Sequence, residues 1–206
     1  MKWQQLFISG GATIREIWGR IRAGGTRMNN LVAYTLQMMD GDLQKISASL
    51  QRLSDELVWK RFRESTNSVG NLCLHLAGAE YQRVSSAIGG KELVRERTLE
   101  FTAEGGLSAA ELLEKLRLVR TQSKEILEAV TDQELDQEIP MYFKPDDWQR
   151  MLQHGANYSS HPAYKPQKTL LVLLGLANHY SYHTGQIVML AKQLQESNEQ
   201  ILQFKH

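Results

Sequence analysis

His179 and His183 are four residues apart, and no proline or glycine lies between them. On an α-helix this spacing stacks two imidazoles on adjacent turns of one face, where both can reach a single divalent ion. With His179 at the origin of a helical wheel of about 100° per residue, His183 falls at about 40°. Val172 and Leu190 fall near ~20°, and Leu176 and Leu194 near ~60°. The pair is therefore expected in the middle of an apolar stripe, facing a helical core. Two buried imidazoles need polar partners, and a metal ion is one way to supply both. A third ligand has to come from another helix. His75 is the best candidate, flanked by Leu72, Leu76 and the small residues Gly78 and Ala79. His154, His161 and His206 are weaker candidates, two in a proline-rich stretch and one at the last position. The plainer alternative is that these are hydrogen-bonded core histidines, since a His-x-x-x-His string also arises by chance.

Other chemistry is thin. Asn71 lies one turn before His75 and Gln186 nearly one turn after His183, so either could orient an imidazole or a bound water, or be an ordinary cap or polar helix residue. Arg95, Arg97 and Glu100 read as an ion-pair network bracing a connection along the bundle, away from its open end. Lys60, Arg61 and Arg63 read as a solvated charge run. Cys73, two residues from His75, points off the histidine face and reads as a small buried residue. Ser181 and Asp147 lack the strand-turn-helix context of a nucleophilic triad. No carboxylate stands out as a general base.

The elements that must carry these residues are helical. The four prolines, at 140, 145, 162 and 166, fall in one stretch, so the rest of the 206-residue chain is free to be helix. A first helix is expected over about 30–50, with Leu31, Tyr34, Met38, Leu43, Ile46 and Leu50 as its buried stripe. A second follows Ser68 as N-cap and ends at Gly89-Gly90. A third opens on the capping box Ser108-Ala-Ala-Glu111, and Thr131-Asp-Gln-Glu134 repeats that pattern for a short piece. A fourth spans about 169–195. The stretch 137–167, with Tyr142, Trp148, Tyr158 and Tyr164, is a long connection that either roofs the pocket or forms a small satellite core. No strands are expected. The implied fold is an all-α four-helix bundle with long crossover connections over residues 28–206. Residues 1–27, with Lys2, Arg15, Arg20, Arg22 and Arg27 against Glu16, read as an N-terminal extension containing a short helix at 13–21.

Composition closes off several function classes. Lys and Arg number 24 against 23 Asp and Glu, so no overall field draws in nucleic acid or an acidic membrane. The single cysteine excludes an internal disulfide and cysteine-rich zinc sites, which favours a reducing compartment. No apolar run approaches the ~20 residues of a membrane span, and the apolar start near Leu6–Ile8 is broken by Gly10-Gly11. A cytoplasmic protein is expected.

Three strings carry a family resemblance: Asn71-Leu-Cys-Leu-His75-Leu-Ala-Gly78, Arg95-Glu-Arg97-Thr-Leu-Glu100-Phe101, and Leu176-Ala-Asn-His179-Tyr-Ser-Tyr-His183-Thr-Gly185-Gln186-Ile187. Together, over about residues 28–194, they resemble an uncharacterised branch of the DinB-like superfamily of four-helix metalloproteins, to which the bacillithiol S-transferases belong. The resemblance implies an up-down-down-up bundle, often dimeric, with a divalent ion, nickel or zinc, on His75, His179 and His183. It implies thiol transfer or related hydrolysis of a small molecule, with a low-molecular-weight thiol as the expected co-substrate. Despite the family name it implies no DNA synthesis. Ala79 departs from the branch, which usually has Asn there. Two further readings stay open: a metal-containing, stress-related binding protein without turnover, and a metal-free helical interaction module.

Overall fold

The structure is a computed structural model and describes residues 29–153 and 163–201. The expected extension at 1–27, its helix at 13–21, and Tyr158, His154, His161 and His206 lie outside the described residues. Helices dominate. Helix α1 is Asn30–Leu50, α2 Asp55–Trp59, and α3 Val69–Glu80, which continues as a π-helical stretch Tyr81–Ile88. Then come α4 Arg97–Thr102, α5 Ala109–Leu127, α6 Asp132–Leu135, α7 Pro145–Gln153 and the long α8 Thr169–Leu194. The starts follow local chemistry. Ser68, Ser108 and Thr131 each cap a helix through a reciprocal bond with the residue three positions on. The second long helix stops where Gly90 turns left-handed at φ 68°.

Polar contacts give the relative directions. Asp42 accepts from Ser181 Oγ (2.7 Å), and Arg52 pairs with Glu199 further along both segments, so α1 and α8 run parallel. Asn29 meets Asp132 while Asp40 meets Arg120, so α5 runs against α1. The shared interior is built from aliphatic side chains including Met39, Ile46, Leu76, Leu116, Leu173 and Leu176.

Two expectations fail here. On α1 the buried stripe is Val32, Leu36, Met39, Ile46 and Leu50, whereas Tyr34 and Met38 are 64% and 54% exposed. The helix offers two overlapping apolar stripes, and polar Thr35, Asp42 and Ser49 lie in the buried one, which is why pattern alone favours the wrong face. The connection after α6 is not free of strands. Glu138–Tyr142 (β1) and Tyr164–Lys168 (β2) pair antiparallel, with Pro140 opposite Pro166. In a two-stranded ribbon both strands are edges, so a proline can face outward without losing a ladder bond. Gln82 of the π-helical stretch donates to the Tyr142 carbonyl (2.5 Å) and ties the ribbon to the bundle. Trp148 is buried against Phe143, with ring centroids 5.3 Å apart.

A buried ionic cluster crosses the bundle. Arg120 donates to both oxygens of Glu80 (2.8 and 3.1 Å) and to Asp40 (2.9 Å), and its guanidinium lies 4.7 Å from the Tyr180 ring centre. Burial alone would favour the uncharged form of Arg120, but the charge and hydrogen bonds of Glu80 hold its pKa above the ordinary arginine value. Removing one partner strands the other charge in the interior. Glu80→Ala is therefore expected to cost about 3–5 kcal/mol in urea denaturation. Lys124→Ala, which removes an exposed pair with Glu128, is expected to cost under ~1 kcal/mol in the same measurement.

Candidate metal centre

His75 projects from α3 and His179 and His183 from α8. One nitrogen of each lies within 4.8 Å of those of the other two, so the three form a cluster that one ion could bridge. His75 Nε2 and His179 Nε2 are 3.0 Å apart. The ring centroids of His183 are 4.9 Å from His75 and 4.6 Å from His179. His75 is buried, while His179 and His183 are half-buried. The wheel expectation is corrected on this point. The buried face of α8 runs through Leu173, Leu176, Tyr180 and Ile187, so the histidine pair lies on its flank and not at its centre. Both rings of the pair keep partial exposure there.

Hydrogen bonds set the chemistry of two of the rings. His75 Nδ1 lies 3.0 Å from Glu100 Oε2. A carboxylate only accepts, so Nδ1 carries the proton and Nε2 presents its lone pair to the cluster. Gln186 places its Oε1 2.7 Å from His183 Nδ1 and turns its Nε2 to the Tyr182 hydroxyl. His183 thereby also keeps Nε2 free as a donor to an ion. His179 Nδ1 is buried and has no hydrogen-bond partner among the described residues. Burial, the largest cause, lowers the pKa of all three rings; for His179, with the charge of Arg83 added, it falls to about 2. The three imidazoles are neutral at pH 7. Three neutral nitrogen donors from two helices, two of them fixed in the tautomer that offers Nε2, suit a divalent transition ion.

Glu100 is the functional residue whose place the sequence misassigns. It is not part of a brace away from the site: it is 5% exposed and packed behind His75. Arg95 grips it with Nε on Oε1 (2.7 Å) and Nη2 on Oε2 (2.6 Å), and with Nη1 donates to Gln82 Oε1 (2.6 Å). Arg95 Nη2 also lies 3.1 Å from His75 Nδ1, but both are donors, and the carboxylate accepts from each. Gly78 makes the arrangement possible, because a Cβ there would come within 2.0 Å of Glu100 Oε1. Phe101 stacks on His75 with centroids 4.7 Å apart.

The short helix α4 that delivers Glu100 and Phe101 is itself pinned. Asn71 makes no bond to an imidazole. Its Oδ1 closes the Ser68 cap, and its Nδ2 donates to the carbonyls of Glu100 (3.0 Å) and Ala103 (2.8 Å). Arg61, expected in a solvated run, donates to the carbonyl of Phe101 (2.7 Å). Both act on His75 only through α4. Cys73 is buried, and its thiol is pushed up to about 12 by that burial, so it is no nucleophile.

The sequence profile of the DinB superfamily matches residues 38–187. The chain belongs to the DinB superfamily. A DinB-like protein of known structure from Bacillus cereus ATCC 10987 is 21% identical, covering 77% of this chain and 89% of its own, with a TM-score of 0.54. It shares the fold. No curated protein matches. The match spans all three histidines and the Glu100 segment. Gly78→Ala is expected to displace the Arg95–Glu100 pair without altering any ligand or charge. Zinc affinity, read by competition with a chromophoric chelator, should fall roughly 10–100-fold. Unchanged affinity would mean that Glu100 does not orient His75.

Proposed function

We propose that this DinB superfamily member is a metal-dependent enzyme that acts on a small molecule by thiol transfer or hydrolysis. His75, His179 and His183 would hold a zinc or nickel ion. The observation that carries the reading is the donor set: three neutral imidazoles, no carboxylate among them, two of them half-buried on the flank of the α8 apolar face. A site of three protein ligands leaves coordination positions for a reactant, whereas structural sites are closed by a fourth. When bound, such an ion supplies Lewis acidity that makes a thiol or hydroxyl group easier to deprotonate. The protein's part is positioning. Glu100 holds the His75 ring and its tautomer, Gln186 does the same for His183, and Phe101 covers one face of His75. Glu100 is committed to Arg95 and His75, so it positions the ligand and does not serve as the base that takes a proton from the reactant.

Protein purified without chelator is expected to carry close to one zinc or nickel per chain, and His183→Ala markedly less. Zinc at about 100 times its Kd should stabilise the wild type by about 2.7 kcal/mol by mass action, read as a rise in melting temperature that His183→Ala lacks. Equal and negligible metal in both proteins would leave a metal-free helical module. Turnover of thiol–electrophile or ester panels that is lost in His179→Ala separates an enzyme from a stress-related binding protein.

The expected homodimer has support in the parallel helices α1 and α8, which expose Tyr34, Met38, Leu171, Leu174, Tyr182 and Met189. Exposed apolar side chains in such number mark contact surfaces. Sedimentation of the wild type is expected to give twice the chain mass, and Met38→Glu with Met189→Glu to return the single chain. A cytoplasmic setting fits the lone buried thiol, and among the described residues no helix is long and apolar enough to cross a membrane.

A further inference from the structure

His75 stands in a closed ring of buried polar contacts, and Gln82 completes it. The ring leaves α3 at His75 Nδ1, which donates to Glu100 Oε2 (3.0 Å). Arg95 holds both oxygens of Glu100 through Nε and Nη2, and donates from Nη1 to Gln82 Oε1 (2.6 Å). Gln82 belongs to the π-helical stretch that continues α3, so the ring closes on the rod from which it started. His75, Glu100, Arg95 and Gln82 are each at most 8% exposed. The grip on Glu100 alone would let guanidinium and carboxylate swing together as one unit. The bond to Gln82 is the third point, and it ties that unit to the helix.

The Gln82 amide has a single workable orientation. Its Oε1 accepts from a guanidinium, which has no acceptor, and its Nε2 donates to the Tyr142 carbonyl (2.5 Å), which has no donor. Turned over, it would set N–H against N–H at one end and oxygen against oxygen at the other, and unmade bonds on a buried side chain are costly. One side chain therefore satisfies both the guanidinium that holds Glu100 and strand β1. The same polypeptide meets the Arg95–Glu100 connection twice more: Lys144 pairs with Glu96, and Arg150 donates to Thr98 Oγ1 (2.8 Å). Both of these contacts lie toward solvent, where such pairs contribute little. Gln82 supplies the buried tie.

We propose that Gln82 is a positioning residue for His75, and that it couples docking of the β1–β2 ribbon to the hold on that ring. Undocking of β1 takes the acceptor from Gln82 Nε2 and frees the amide to turn away from Arg95. Arg95 and Glu100 then lose their fixed place behind His75 Nδ1. Such coupling is reciprocal, so whatever fixes the His75 ring also favours the docked ribbon. The effect on metal binding rests on the proposed three-histidine centre, whereas the effect on the ring itself does not.

The test uses the full chain and readouts that a merely stabilising role would leave unmoved. In imidazole nitrogen NMR spectra, metal-free wild type should show His75 as the Nδ1–H tautomer. Gln82→Met, of similar size but without either bond, should show a mixture of the two tautomers. Its zinc affinity, read by competition with a chromophoric chelator, should fall about tenfold, the low end for groups hydrogen-bonded behind a ligand. Gln82→Glu still accepts from Arg95 but cannot donate to the Tyr142 carbonyl, and should recover the tautomer and most of the affinity. By reciprocity zinc should slow exchange of the ribbon amides, Phe143 N–H among them, by about tenfold in wild type and in neither variant. If Gln82→Met keeps the wild-type tautomer, or binds zinc as tightly as wild type, the proposal is overturned. It is overturned equally if zinc-loaded wild type leaves ribbon exchange unchanged. Should Gln82→Met not fold, Gln82→Glu and the wild-type exchange decide. A wild type that takes up no zinc, with the tautomer lost in Gln82→Met, sinks the metal centre and leaves the role of Gln82 standing. Normal zinc uptake with tautomer and affinity unchanged in the variant does the reverse.

Discussion

Two imidazole nitrogens from different helices, His75 Nε2 and His179 Nε2, face each other at 3.0 Å. Lone pairs at that distance repel unless a proton or a cation lies between or beside them. With the Nδ1 proton of His75 committed to Glu100, its Nε2 has only a lone pair to present. In the metal-free protein His179 must therefore turn an N–H toward it, and this leaves His179 Nδ1 as an unprotonated, buried acceptor with no partner among the described residues. A bound ion would instead take the Nε2 lone pairs of both rings, so that the close approach no longer needs an N–H between them, while His179 Nδ1 keeps no partner among the described residues in either state. The surrounding structure serves to hold this close approach in place.

That holding is done by two buried ionic groups with different duties. Glu80 and Arg120, with Asp40, join α1, α3 and α5 near the middle of the bundle, and α8 packs Tyr180 on the guanidinium. They fix the bundle that presents the two histidine-bearing helices to each other. Glu100 and Arg95 lie nearer the cluster and fix a ring orientation. The second pair has room only because Gly78 lacks a Cβ, and the backbone of α4 is held by amide and guanidinium donors from Asn71 and Arg61. The π-helical stretch after Glu80 adds a further displacement. Its wider i→i+5 bonding, seen in Gly89 N–H to Val84 O at 2.8 Å, alters the phase at which Gln82 and Arg83 leave the helix relative to an α-helix. Gln82 bridges Arg95 and the Tyr142 carbonyl, so the ribbon from the long connection is linked to the same group.

Much of this was legible where a signal is local. The N-cap at Ser68, the capping boxes at Ser108 and Thr131, the Gly89-Gly90 stop and the His179–His183 spacing are all decided within a few residues, and each marks a helix end or face directly. The histidine from the second long helix could be guessed because His75 sits beside small residues within an apolar run. Glu100 could not, since its value depends on a contact 25 positions away in sequence and on Gly78 leaving room for it. A charged triplet on a connection reads as a brace away from the site, and a basic run as solvated, unless the burial is known. The same failure explains Arg61. The β1–β2 ribbon was hidden for a different reason: its strands are short, rich in Pro, Lys and Gln, and stabilised by each other and by Gln82, with no alternating apolar face to announce them.

The three ligand candidates are not equivalent, and the difference has chemical content. His75 is the fixed member, buried and held through a carboxylate that is itself gripped by Arg95. Hydrogen bonding to a carboxylate raises the donor strength of the opposite nitrogen. His183 is held by the neutral amide of Gln186, a weaker hold on a half-buried ring. Among the described residues His179 has no hydrogen-bonded support on Nδ1. Donor strength toward an ion therefore declines from His75 on α3 to the two rings on α8, and it declines with burial, His75 being buried and His179 and His183 half-buried.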